Sequence, residues 1–271
     1  MGKGFLAKYN GSRMPIRENI TDTEMQLETS HESALCPVCG QQDISFLPLP
    51  DYYRKNAHRH GYAHFGKGEM TSQLTYSCTN CGASDRERLY ALWFDQQLSK
   101  GFFQNATKII HFAPEAALSE KLKQLNLFDY NTADLQMENA DYKVDMMDMP
   151  FNGESYDFFI CSHVLEHVEN DDQAIKELYR ITRKGGGGIL MVPISVGLDK
   201  TIEDSTVKDE GNRWRFFGQN DHVRLYAHDD YVKKIKNNGF IVEELGESYF
   251  GEKVFRELGL KNTSILYVVT K

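Results

Sequence analysis

The chain has 271 residues, 41% hydrophobic and 26% charged, an ordinary globular composition that excludes a wholly disordered polymer. Lys and Arg number 31 against 39 Asp and Glu, a formal charge of −8. General polyanion binding rests on phosphate neutralisation, so only a local basic face is left as a route to nucleic acid. No apolar run reaches the ~18 residues that a membrane helix needs. Met1 to Asn10 lack the long apolar core and small-residue cleavage site of a secretory signal. The expected compartment is the cytoplasm, where thiols stay reduced.

Residues 1–30 are polar without a sustained period and read as an irregular or partly helical leader. Residues 31–85 hold two Cys-x-x-Cys pairs among turn formers and aromatics and form a second unit. Over residues 86–271 the pattern changes. Arg86 to Lys100 reads as an amphipathic helix, with Leu89, Leu92, Trp93 and Leu98 near helical spacing. Lys108–Phe112, Asp129–Ala133, Tyr142–Val144, Tyr156–Cys161 and Ile189–Val192 read as strands, as do Phe240–Glu244 and Ile265–Thr270. Helices are expected over Glu115–Leu125, Asp171–Thr182 (capped by Asp171 or Asp172 and stopped by Gly185–Gly188) and Asp229–Asn237. Strands alternating with helices point to a parallel sheet with crossovers. Ser195 to His228 reads as a long loop leaving the edge of the sheet.

Cys36-Pro37-Val38-Cys39-Gly40 and Cys78-Thr79-Asn80-Cys81-Gly82 are two copies of one local design. Thiolates at i and i+3 grip one face of a metal, and the following glycine permits the tight turn. Two such knuckles make a closed Cys₄ site, which fits structural Zn²⁺ and leaves no open position for catalysis. His58, His60 and His64 lie between them as spare ligands or solvated loop histidines. From Cys36 to Cys81, four Lys and Arg against three Asp and Glu make the unit nearly neutral. That favours a fold staple or a lid over a nucleic-acid reader.

The stretches Asp145-Met146-Met147-Asp148-Met149-Pro150-Phe151, Tyr156–Ile160, Ser162-His163-Val164-Leu165-Glu166-His167-Val168, Arg183–Gly188 and Val192-Pro193-Ile194 come in that order. Together they resemble the class I S-adenosylmethionine-dependent methyltransferases, of the type 11 kind. The resemblance implies an α/β, Rossmann-like, seven-stranded sheet whose last hairpin makes one strand antiparallel, preceded here by a small zinc-binding module. It places S-adenosylmethionine beyond the carboxyl ends of the strands. The loop after the first strand, His111-Phe112-Ala113-Pro114-Glu115, lacks the family's glycines. A bacterial methyltransferase group with a His-x-Ala-Pro-Glu loop and two leading knuckles is similar over nearly the whole chain. His111, Ala113 and Glu115 therefore stand as cofactor-binding candidates, Glu115 either for the α-amino group or as a helix-start residue.

Asp134 lies 19 residues beyond Glu115, close to the ~20 at which an acidic residue takes ribose hydroxyls. The resemblance assigns Asp145 to the adenine amine, sets Met146 against the ring, and puts Ser162 and His163 where the methyl group emerges. His163 is one candidate base. Another is His222, with Asp221 orienting it, in the run Gly218-Gln219-Asn220-Asp221-His222-Val223-Arg224-Leu225-Tyr226. Arg224 and Tyr226 are candidates for holding the acceptor. The expected activity is methyl transfer to a small-molecule or glycan acceptor, on oxygen. Two rivals stay open: an RNA methyltransferase with a zinc ribbon, opposed by the charge, and a degenerate domain used as a zinc-dependent interaction module.

Overall fold

The apolar runs Ile109-Ile110, Phe158-Phe159-Ile160 and Ile189-Leu190-Met191 are almost fully buried, as in strands covered on both faces. They form the centre of a seven-stranded sheet in the computed structural model, which describes residues 34–103 and 106–271. The polar leader expected over residues 1–30 lies outside the described residues.

The described chain opens with β1 (Phe46–Leu47), α1 (Asp51–His60) and β2 (Ser77–Cys78), with β1 and β2 paired antiparallel. Helix α2 (Asp85–Ser99) follows. It starts where it does because Ser84 and Glu87 form a reciprocal capping box. Then come β3 (Thr107–Phe112), α3 (Ala116–Gln124), β4 (Phe128–Asp134), β5 (Tyr142–Lys143), β6 (Tyr156–Ser162), α4 (Asp171–Ile181) and β7 (Thr182–Met191). Asn170, not Asp171 or Asp172, caps α4 by accepting from the Gln173 amide. The remaining elements are β8 (Ile202–Glu203), α5 (Glu210–Phe217), β9 (Arg224–Leu225), α6 (His228–Asn237), β10 (Ile241–Leu245), α7 (Glu247–Phe250), α8 (Glu252–Glu257) and β11 (Leu266–Thr270).

The sheet order is β10-β11-β7-β6-β3-β4-β5. The pairs β7–β6, β6–β3, β3–β4 and β4–β5 are parallel, and β11 runs antiparallel to both neighbours. This is the sheet that the resemblance implied.

Two further expectations need correction. Gly185–Gly188 do not stop a helix; they lie inside β7. The reason is close approach: a Cβ on Gly187 would run into the Val269 carbonyl oxygen, and one on Gly188 would sit 2.6 Å from the Phe159 ring. The segment from Ser195 to His228 is not one loop, for it contains the β8–β9 ribbon and α5.

The cysteine-bearing segment packs directly on the sheet unit. Arg88 is fully buried. Its guanidinium donates to the carbonyls of Leu258, Tyr76, Ala83 and Thr75 and lies 3.9 Å from the centre of the Phe46 ring. His60 on α1 stacks on Trp214 of α5, with ring centres 6.1 Å apart. No described helix is long and apolar enough to cross a membrane.

Candidate functional site

A cleft of about 600 Å³ opens at the carboxyl ends of β3, β4 and β6. Ala113 follows β3 and lines it. Its φ of 47° is left-handed, a conformation that glycine adopts without strain, and its amide donates to the Ala133 carbonyl. Asp134 ends β4 at the cleft wall, where Oδ1 accepts the amides of Gln136 and Met137 at 2.6 and 2.7 Å. That turn fixes the side chain, and no described group hydrogen-bonds Oδ2. Asp145 stands across the cleft with Oδ1 held by the Met147 amide, beside the buried Met146.

Glu115 is committed elsewhere. Oε2 lies 2.8 Å from Nε2 of the buried His111, and Oε1 accepts from Arg86 at 3.2 Å. His111 Nδ1 lies 2.7 Å from the Tyr130 hydroxyl, which donates to Ser119. Burial pushes the Glu115 carboxyl up, but the His111 hydrogen bond and charge, with Arg86, more than offset it and hold it down to about 2. Neither His111 nor Glu115 lines the cleft. They brace the turn that carries Ala113. Ser162 is likewise buried, sharing a 3.0 Å hydrogen bond with the Tyr90 hydroxyl.

The other wall is built by the loop after β6 and by the segment before β9. His163 lines the cleft with φ 56°, and its Nδ1 lies 3.4 Å from Glu166 Oε1. His167 also lines it, with Nδ1 3.4 Å from Asp221 Oδ2 and Nε2 4.0 Å from Glu166 Oε1. Asp221 thus faces His167, and the expected Asp221–His222 pair does not form. His222 is buried behind this wall, with Nδ1 3.2 Å from the Phe217 carbonyl and its ring 4.8 Å from that of His167. Burial first, with Glu166 only partly opposing, lowers His222 to about 4. Glu166 itself is fully buried. Burial raises its carboxyl, while the neighbouring imidazole of His163, then those of His222 and His167, bring it down to about 2.

Arg224 and Tyr226 do not reach the cleft. Arg224 is fully buried and donates to the carbonyls of Leu165, Val168 and Glu169 and to Glu203. The Tyr226 hydroxyl donates to Asp171 at 2.7 Å. Arg224 pins the loop that carries Glu166 and His167. Sequence reasoning missed Arg213, which lines the cleft from α5, its buried Nε without a hydrogen-bond partner among the described residues. Its only signal was the apolar spacing of Trp214 and Phe217, obscured by the glycine and asparagine before them.

A second cluster joins Cys36, Cys39, Cys78 and Cys81, all free thiols, with their sulfurs within 4.8 Å of one another. Cys36 and Cys81 sulfurs are 3.7 Å apart, and those of Cys39 and Cys78 are 3.9 Å apart. Gly40 and Gly82 close the two knuckles at φ 73° and 76°, donating to the Cys36 and Cys78 carbonyls. His58 and His60 lie on α1, and His64 Nδ1 is 3.3 Å from the Ser195 hydroxyl; none belongs to the cluster.

Residues 109–190 match the family model described as methyltransferase domain. No curated protein matches the chain. Among solved structures it is similar to the YcgJ protein of Bacillus subtilis, at 12% identity and TM-score 0.40 over 65% of this chain and 94% of that one. An S-adenosylmethionine-dependent methyltransferase of Mesorhizobium loti shares 12% identity at TM-score 0.41, over 62% and 92%. Phosphoethanolamine N-methyltransferase 2 of Haemonchus contortus, in complex with S-adenosyl-L-methionine, shares 14% at TM-score 0.40, over 61% and 41%.

Proposed function

We propose that the chain, whose residues 109–190 match a methyltransferase domain, is a class I, S-adenosylmethionine-dependent enzyme that methylates an oxygen of a small-molecule or carbohydrate-like acceptor. One observation carries the reading: two carboxylates at strand ends, Asp134 and Asp145, line the same cleft as two imidazoles, His163 and His167.

The cleft suits the cofactor physically. It lies beyond the carboxyl ends of the parallel strands and is large enough for a nucleoside-sized ligand. Asp134 would accept ribose hydroxyls through Oδ2, Asp145 the adenine amine, and Met146 and Val144 would flank the ring. Ala113 holds the turn that lets backbone approach the ligand. When bound, S-adenosylmethionine supplies an activated methyl group. The protein's part is alignment of acceptor and methyl donor, and handling of one proton. His163 is the base in this reading, in place of the buried His222. With Nδ1 turned to Glu166, Nε2 is the nitrogen left to take the proton of an acceptor hydroxyl. Arg213 would hold a polar or anionic part of the acceptor.

The four cysteines would hold one structural Zn²⁺. A tetrahedral ion with Zn–S near ~2.3 Å separates its sulfurs by ~3.8 Å. The spacings of 3.7 and 3.9 Å agree with that. Four thiolates fill the coordination sphere, so this metal braces α1 and, through it, α5.

The test is an acceptor panel of hydroxylated small molecules, saccharides, amines and RNA, read by release of S-adenosylhomocysteine. Turnover on a hydroxyl acceptor and none on RNA is expected. His163→Ala should slow it ~10²–10⁴-fold while cofactor affinity holds. Turnover on RNA alone, or undiminished turnover in the variant, would overturn the reading.

A further inference from the structure

Glu166 is a buried carboxylate with both oxygens lacking a hydrogen-bond partner among the described residues. Such a group is expensive to bury unless something positively charged meets it. Three imidazoles surround it, those of His163, His167 and His222. The nitrogens offered by His167 and His222 and a Glu166 oxygen all lie within 4.8 Å of one another.

The partners of each Nδ1 leave Nε2 as the nitrogen open to a ligand. A carbonyl oxygen only accepts, so His222 Nδ1, 3.2 Å from the Phe217 carbonyl, carries the proton. His167 Nδ1 faces the Asp221 carboxylate at 3.4 Å. His222 therefore keeps Nε2 as the lone-pair nitrogen, and His167, with Nδ1 beside Asp221, turns Nε2 towards Glu166. An imidazole whose Nδ1–H is held by a carbonyl or carboxylate while Nε2 is free is a ring oriented as a metal ligand. The backbone around the cluster is fixed as well. The Val223 amide donates to the Glu166 carbonyl at 2.8 Å, and Arg224 clamps the carbonyls of Leu165, Val168 and Glu169.

We propose that Glu166, His167 and His222 bind a divalent first-row transition ion, separate from the cysteine cluster, at the wall of the cleft. Two imidazoles and a carboxylate suit such ions and leave further coordination positions open. Neighbouring ligands on one ion are ~3–3.5 Å apart at ~2.1 Å bond lengths, so binding draws the three groups slightly together. The ion neutralises the orphaned carboxylate. Because His167 lines the cleft, the open positions meet water or an oxygen of the acceptor there. The last point rests on the cleft being the methyl-transfer site; the ion site itself does not.

Mn²⁺ alone serves as the probe, since thiolate clusters favour softer ions. The zinc-containing protein is titrated with Mn²⁺ while the electron paramagnetic resonance signal of free Mn²⁺ is followed, without cofactor or acceptor. The expected result is about one Mn²⁺ per chain, weakened tenfold or more in Glu166→Gln and also in His167→Gln at the exposed rim, which spares the core. Absence of binding up to millimolar Mn²⁺, or equal binding in His167→Gln, overturns the proposal. A separate S-adenosylmethionine titration reports on the methyl-transfer reading, so the two fail independently.

Discussion

Arg88→Met removes the guanidinium that joins three parts of the chain while keeping most of the apolar stem. Four donated hydrogen bonds disappear, to the carbonyls of Leu258, Tyr76, Ala83 and Thr75. The Ala83 carbonyl keeps the Cys78 amide, so three carbonyls lose these donors outright. At ~1–3 kcal/mol for each unsatisfied buried acceptor, the gross loss is several kcal/mol. Relief from burying a charge offsets part of it. The net expectation is a destabilisation of ~4 kcal/mol, the scale for breaking a buried charged network. At ~2–4 °C per kcal/mol for a domain of this size, the melting temperature falls by ~8–16 °C. Scanning calorimetry on protein purified without chelator measures it. Arg183→Met, which breaks an exposed pair with Asp157, serves as control and should change stability by ~1 kcal/mol or less. A shift below ~2 °C for Arg88→Met would refute the reasoning.

Three other outcomes follow from the same geometry. Burial pushes the Glu69 carboxyl from an ordinary 4.5 up to about 7, against the Tyr267 hydroxyl, His228 and Lys261; the native state then holds a proton that the unfolded chain releases, so stability falls as pH rises from ~4.5 to ~7, by ~3 kcal/mol, and urea titrations of Glu69→Gln should lose that slope. Gly187→Ala should cost ~2–3 kcal/mol by forcing a methyl against the Val269 carbonyl, whereas Gly153→Ala, with 3.5 Å of clearance, should be near neutral by thermal denaturation. Stripping metal with a chelator should accelerate amide exchange over residues 36–82 and 210–217, because α1 braces α5, and leave β6 protected; unchanged exchange in both segments would remove the bracing role of the cysteine unit.

The sheet was legible because buried parallel strands are short apolar runs between turn signals, and Ile109-Ile110, Phe158–Ile160 and Ile189–Met191 announce themselves that way. The glycines of β7 misled because composition does not reveal close approach by a neighbouring strand. Helix α5 was hidden by a polar start and by stabilisation from α1, a partner some 150 residues away in sequence. At the site, residues ending a strand were readable: Asp134, Asp145, Met146 and His163 all line the cleft. The Asp221–His222–Arg224 run was not, because adjacency in sequence says nothing of direction. Asp221 faces one histidine, His222 packs inward, and Arg224 is spent on carbonyls. Glu166 gave no signal of its own, since only the folded chain shows a carboxylate ringed by three imidazoles.

The measurement closest to the central claim is a calorimetric titration of S-adenosylmethionine into the unaltered protein and into Asp134→Ala and Asp145→Ala. One site per chain is expected, weakened in Asp134→Ala by ~1–3 kcal/mol, or roughly 5- to 150-fold, for loss of charge-assisted hydrogen bonds. No binding by the unaltered chain, or the same affinity in both variants, would contradict the placement of the cofactor in this cleft.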